Sequence, residues 1–225
     1  IQSKSHQAMV SKSGYARSTP TAVILGPHYL GGAAFFHLID DQGYGQLKLY
    51  VKFWRSPASK PGKMLRVTMA WAQICVGTSV PILRDTNTPL PHLEAEWLAS
   101  LRQFLCDTGA SIETTVDFIA KRQRENDLFL MDVVLQSGKF KPAQIKRVNY
   151  CRLYLGVLLL SDIVTANGEA IDPAMYSGGK QAKTTKHRVN QQRPNDKAWA
   201  QWRRLLHLLA FNRHNLKLRV PLGKW

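Results

Sequence analysis

Two adjacent carboxylates (Asp40 and Asp41), seven scattered histidines, three cysteines and a run of basic residues mixed with tryptophan are the groups in this chain suited to chemistry. Adjacent acids can hold a hard divalent cation, but such a site takes about six oxygen ligands. Acids at the start of a helix also serve the positive end of its dipole, and that is the first reading here. His207 and His214 stand seven residues apart, on one face of a predicted helix. A zinc site needs two further ligands, and no cysteine lies in this part of the chain. Glu94 and Glu96 are two apart, so on a helix they point to different faces. Asp127 and Asp132 bracket an apolar stretch and invite structural pairing with Arg122 or Arg124. Cys75, Cys106 and Cys151 are odd in number, widely spaced and set among apolar residues. That is the pattern of buried free thiols in a reducing compartment rather than of a disulfide framework. There is no nucleophile elbow, no Walker loop and no dinucleotide-binding glycine fingerprint. No catalytic residue, no metal ligand and no cofactor is assigned within the chain.

The cations form the clearer pattern. The chain has 31 Lys and Arg against 15 Asp and Glu, a net charge of +16. Between Lys180 and Trp225 twelve Lys and Arg face one acid, Asp196, so +11 of that excess sits in the last fifth. Lys180, Lys183, Lys186, Arg188 and Arg193 lie in a polar stretch. Lys197, Arg203, Arg204 and Arg213 lie on or beside a predicted helix that also carries Trp199 and Trp202. Cations interleaved with aromatics suit a sugar-phosphate backbone and its bases. For the two tryptophans, packing in the core is the first reading and base stacking the second. Lys139, Lys141, Lys146, Arg147 and Arg152 form another cluster that could extend the same surface. The expected partner is nucleic acid, RNA or DNA, ahead of an anionic membrane surface. Residues 1–20 are polar and lack a signal-peptide core, and no apolar run is long enough to span a bilayer. The expected location is intracellular, nucleus or cytoplasm, with no membrane partner.

The elements that must position these groups are mainly helical. Apolar spacing predicts helices over Leu38–Trp54, Lys63–Val76, His92–Cys106, Asn126–Leu135, Lys141–Gly156 and Asp196–Asn212. On the second, Met64, Val67, Ala70, Trp71 and Ile74 fall on one face. Short strands are expected over Ala22–Leu25, Ser111–Val116, Leu158–Val164 and Leu218–Leu222, with a turn at Asn167-Gly168. The fold class is mainly α with short β elements (α+β). Residues 1–80 form one helical lobe, 92–175 a second with a small β-hairpin, and 176–225 a basic linker and terminal amphipathic helix. Pro81, Pro89 and Pro91 place the joint over 77–91. A start at Ile1 and an end just after Pro221-Leu-Gly-Lys-Trp225 suggest a piece of a longer polypeptide.

Several short blocks occur in a telling order. They are Gly26-Pro-His-Tyr-Leu-Gly-Gly32, Asp41-Gln-Gly-Tyr-Gly-Gln46, Asn126-Asp-Leu-Phe-Leu-Met-Asp132, Arg147-Val-Asn-Tyr-Cys-Arg-Leu-Tyr-Leu155 running on to Leu160-Ser-Asp-Ile163, Trp199-Ala-Gln-Trp-Arg-Arg204 and Pro221-Leu-Gly-Lys-Trp225. Together they resemble the region downstream of the polymerase core in reverse transcriptase-like proteins of eukaryotic retrotransposons. The resemblance implies that the first lobe is thumb-like and that the chain grips template RNA or a primer duplex. It also implies that a polymerase palm lies upstream in the same polypeptide and holds the Mg²⁺. Leu38-Ile-Asp-Asp41 departs from the aromatic-x-Asp-Asp turn of such enzymes, since Leu38 stands at the aromatic position. The alternative is a stand-alone domesticated nucleic-acid-binding, structural or adaptor protein without polymerase activity.

Overall fold

A computed structural model gives the fold and describes residues 10–16, 18–34, 38–116, 118–177, 192–212 and 214–224. The chain divides into two compact units, 1–56 and 57–225. Among the described residues the architecture is mainly helical with one two-stranded antiparallel sheet. No described helix is long and apolar enough to cross a membrane.

In the first unit, Ala22–Leu25 belongs to a single helical turn, α1 (Thr21–Leu25), where a strand was expected. Pro20 sets the entry angle, and its carbonyl accepts from both Val23 N and Ile24 N, which curls the segment before it can extend. A 3₁₀ turn, His28–Leu30, ends at Gly31 with φ +80°. The loop then folds back so tightly that a Cβ on Gly32 would lie 2.0 Å from the Gly26 carbonyl oxygen. Only glycine fits there, which gives the Gly26–Gly32 block a steric role. Helix α2 (Leu38–Trp54) carries Asp40 and Asp41 in its first turn. The Tyr50 and Trp54 rings, four residues apart, stack at 5.6 Å.

The second unit starts with α3 (Lys60–Val76), whose first turn is capped by the Ser59 hydroxyl accepting from Gly62 N. The face that carries Met64, Val67 and Trp71 turns outward: Met64 and Val67 are about 70% exposed, and Trp71 is 50% exposed. Met69, Ala72, Gln73 and Val76 are buried instead. Gln73 decides the rotation. Its amide donates to the Thr78 and Val80 carbonyls and its carbonyl accepts from Ile82 N. That one side chain stitches the following loop to the helix.

The same loop, residues 77–91, lies within the second unit. Residues 77–91 are pinned from two sides. Besides Gln73, the Arg102 guanidinium of α4 (Glu96–Asp107) donates to the carbonyls of Ile82, Asp85 and Thr88. Ser111–Val116 forms no strand; Ile112 N bonds to Leu83 O, with no ladder to extend that contact.

Helix α5 (Leu130–Gln136) starts later than the expected Asn126. The Asp127 carboxylate is engaged elsewhere, accepting from Gln123 N, Leu128 N and Ser161 N. Residues 128–130 instead run beside 158–160, with Leu130 N on Leu158 O and Leu160 N on Leu128 O. The expected strand over Leu158–Val164 is therefore reduced to single bridges and a 3₁₀ turn at Leu160–Asp162. The Asn167-Gly168 turn does form, closing a Val164–Ile171 bridge with Gly168 at φ +75°. Helix α6 (Pro142–Leu155) begins at its proline and ends at Gly156, φ +71°, as its sequence predicts. A short helix, α7 (Pro173–Ser177), follows.

Helix α8 (Asp196–Leu209) is capped by Asn195, whose side chain accepts from Ala198 N at 3.0 Å. The helix stops three residues short of Asn212 because β1 (Ala210–Asn212) pairs antiparallel with β2 (Lys217–Leu218). The terminal segment is thus no appendage. Trp199, Trp202, Leu205, Leu206 and Leu209 join Val148, Cys151 and Leu155 of α6 in the main hydrophobic cluster. The Trp202 indole N–H donates to Met175 O at 3.0 Å.

Candidate nucleic-acid interface

Helix α8 separates its residues by face. The inward positions are apolar and buried, whereas Lys197, Ala200 and Arg204 are exposed and Arg203 and His207 are half-buried. Ala200, Arg203, Arg204 and His207 follow the i, i+3, i+4, i+7 spacing of one helical stripe. They line a groove of 480 Å³ whose other walls include Lys139, Phe140, Tyr176 and Arg219. Among the described residues, four cations and no acid line this groove.

Aromatic rings hold two of the guanidinium groups. The Arg204 Cζ sits 5.0 Å from the Phe140 ring centroid, and the Arg203 Cζ sits 5.9 Å from that of Tyr176. A guanidinium over a ring keeps its edge N–H groups free for a planar anion and is partly pre-positioned. The Tyr176 hydroxyl and His207 Nε2 are 3.2 Å apart, with the rings edge to face. This contact fixes the groove floor. Phosphate oxygens would meet several donors here, on a surface where no acid competes for them.

The expected site residues separate into three groups. Arg193, Lys197, Arg203, Arg204, Lys146 and Arg147 are at least partly exposed, and of these Arg203 and Arg204 belong to the groove. Lys146 instead borders a separate cavity beside His92 and Tyr150. Trp199 and Trp202 are 5% and 0% exposed, so neither can stack on a base; they belong to the core. Lys180, Lys183, Lys186, Arg188 and Arg213 lie outside the described residues.

Arg152, grouped by sequence with the second cluster, is fully buried. Its Nη2 donates to the Ile74 and Cys75 carbonyls, Nη1 to Val157 O and Nε to Asn149 Oδ1. It neutralises the C-terminal ends of α3 and α6 together. Burial lowers its pKa to about 10, against the favourable charges of Cys75 and Asp162, so it stays a cation at neutral pH. Gly77, at φ +70°, closes over this site: a Cβ there would lie 2.7 Å from Arg152 Cζ.

Arg124, also buried, donates to Gly223 O and Ala166 O and so ties three distant segments together. Glu125 O accepts from Gly223 N, and Leu222 N donates to Gly168 O. The block at 126–132 meets the one at 160–163 where Asp127 Oδ1 accepts from Ser161 N, and meets the one at 221–225 where Asn126 Nδ2 donates to Pro221 O.

Phe140, Tyr176, His207 and Arg219 were missed as groove residues. The signal present in sequence is Lys139-Phe-Lys141, an aromatic flanked by cations. Tyr176 comes from α7, His207 from α8 and Arg219 from just after β2, so their meeting depends on tertiary packing. His214 lies beyond the end of α8 and does not share its face with His207. Among the described residues no group of three or more His, Cys, Asp or Glu side chains converges as a metal site would require. Cys151 is buried, and burial pushes its thiol up to about 12; Cys75 is raised by burial too. Neither has the depressed pKa of a nucleophile.

Compared with protein-family models, with curated proteins and with solved structures, the chain finds no match.

Proposed function

We propose that this chain binds nucleic acid through the outer face of α8, gripping the phosphate backbone without catalysing a reaction. The observation that carries this reading is the groove in which Lys139, Arg203, Arg204 and Arg219 gather around aromatic walls with no acid among the described lining residues. The charge skew of the sequence supports it, since the C-terminal stretch supplies three of those four cations. In the larger setting implied by the ordered sequence blocks, the chain is the downstream, substrate-gripping part of a reverse transcriptase-like polypeptide. An upstream palm would carry the polymerase carboxylates and Mg²⁺.

Fluorescence anisotropy with a labelled oligonucleotide across a salt series tests the binding. The expected result is a straight fall of log K against log salt with a slope of about −3 or steeper, one increment for each groove cation that meets a phosphate. Binding that ignores salt, or no binding at low salt, overturns the proposal. Truncation before Lys180 is not a usable control, because it removes Trp199, Trp202, Leu205 and Leu206 from the core.

A further inference from the structure

An apolar pocket of 380 Å³ adjoins the basic groove, and the two share Leu208 and Arg219 as a common wall. Leu128, Val133, Leu160, Leu209, Leu218 and Val220 complete its apolar lining. Val220 is 59% exposed and Leu128 42% exposed, so the pocket opens to solvent. Its lining is contributed by the segment before α5, by α5 itself, by the 3₁₀ turn at Leu160–Asp162, by the end of α8 and by β2. Phosphate-binding cations and an apolar recess thus stand side by side.

From this continuity we infer that the surface is built for single-stranded nucleic acid, with a base turned out of the strand into the apolar recess. The inference rests on the binding proposed above and specifies the form of the partner. A duplex keeps its base faces stacked on one another, so it could offer this surface only phosphates. A single strand has free base faces, and each base laid on apolar or aromatic side chains strengthens binding. Phosphates on either side of such a base would reach Arg203, Arg204 and Arg219. The occupant of the apolar recess is argued from charge complementarity: the recess shares Leu208 and Arg219 with a groove lined, among the described residues, by four cations and no acid, so a ligand reaching both carries an anion and an apolar group.

The test compares three labelled probes of equal length at one salt concentration: a single strand, the same strand in a duplex, and a single strand with abasic sites. The single strand should bind roughly tenfold tighter than either of the others. The paired substitution Leu128→Ser and Val220→Ser, both at exposed positions, should weaken single-strand binding several-fold without changing the salt slope. Its unchanged thermal melting would show that the fold is intact. If all three probes bind alike with a steep salt slope, phosphate binding stands and the base recess is disproved. If none binds at low salt, the binding proposal itself fails. If the duplex binds tighter than the single strand, the surface reads helical phosphates and this inference is overturned.

Discussion

Arg152 and Arg204 sit on neighbouring helices of the same unit, yet one points into the junction of α3 and α6 and the other away from α8. Arg152 is fully buried and spends its donors on four oxygen atoms of the chain itself. Arg204 is exposed, lies over the Phe140 ring and faces a groove without an acid. Chemically identical groups therefore do opposite work. In the junction a guanidinium replaces water at two helix ends, and its loss is a loss of stability. On the face of α8 no described acid lines the groove, so the loss of Arg204 should be felt by a polyanionic partner and scarcely by the fold. Total charge says little here; the partners of each cation say nearly everything.

Removing the inner cation should have the largest effect. Arg152→Met leaves the Ile74, Cys75 and Val157 carbonyls without their donor, and an unsatisfied buried polar group costs about 1–3 kcal/mol. A loss of about 3–5 kcal/mol in urea unfolding is expected. Arg152→Lys should not rescue it, since one ammonium cannot span both helix ends. A loss under about 1 kcal/mol would show that the junction does not depend on this group.

Acid should attack the same junction next. His92 is buried with Nε2 2.9 Å from the Val76 carbonyl at the end of α3. Burial lowers its pKa from 6.5 to about 4; the bond to Val76 opposes the shift, and the charges of Arg152 and Lys146 add to it. The unfolded chain therefore takes up the proton more readily than the folded one. The contribution of His92 is complete above about pH 6.5 and drains away as pH falls toward about 4, amounting to about 3 kcal/mol at most. His92→Gln, which can still donate to Val76, should flatten that part of the stability curve. A curve of the same shape in the variant would remove His92 from the explanation.

Much of the helical frame was legible in sequence. Pro142 and Gly156 bracket α6, the apolar stripe of α8 is where the leucines place it, and Asn167-Gly168 makes its turn. These features are local, so local rules reach them. Arg102, Arg124 and Arg152 were not legible as interior groups, because each bonds to carbonyls far along the chain, and Gln73 was not, because it bonds to a loop outside its own helix. Arg152 gave one clue: Val148, Cys151, Leu153 and Leu155 surround it on α6 and leave it no clearly polar face. On α3, two apolar stripes compete, and only the reach of Gln73 to residues 78–82 selects between them. The groove was half legible. Its cations are plain in the sequence, but its aromatic walls come from Phe140 and Tyr176, brought to α8 by packing.

The outer pair should move stability least and binding most. The decisive measurement sets Arg203→Gln with Arg204→Gln beside the unaltered protein, reading single-strand affinity across a salt series and the urea midpoint together. The expected result is a loss of roughly tenfold or more in affinity at low salt, a salt slope shallower by about two, and a midpoint shifted by no more than a few tenths of a molar. Unchanged affinity and slope in the doubly substituted protein would contradict the assignment of this face to phosphate binding.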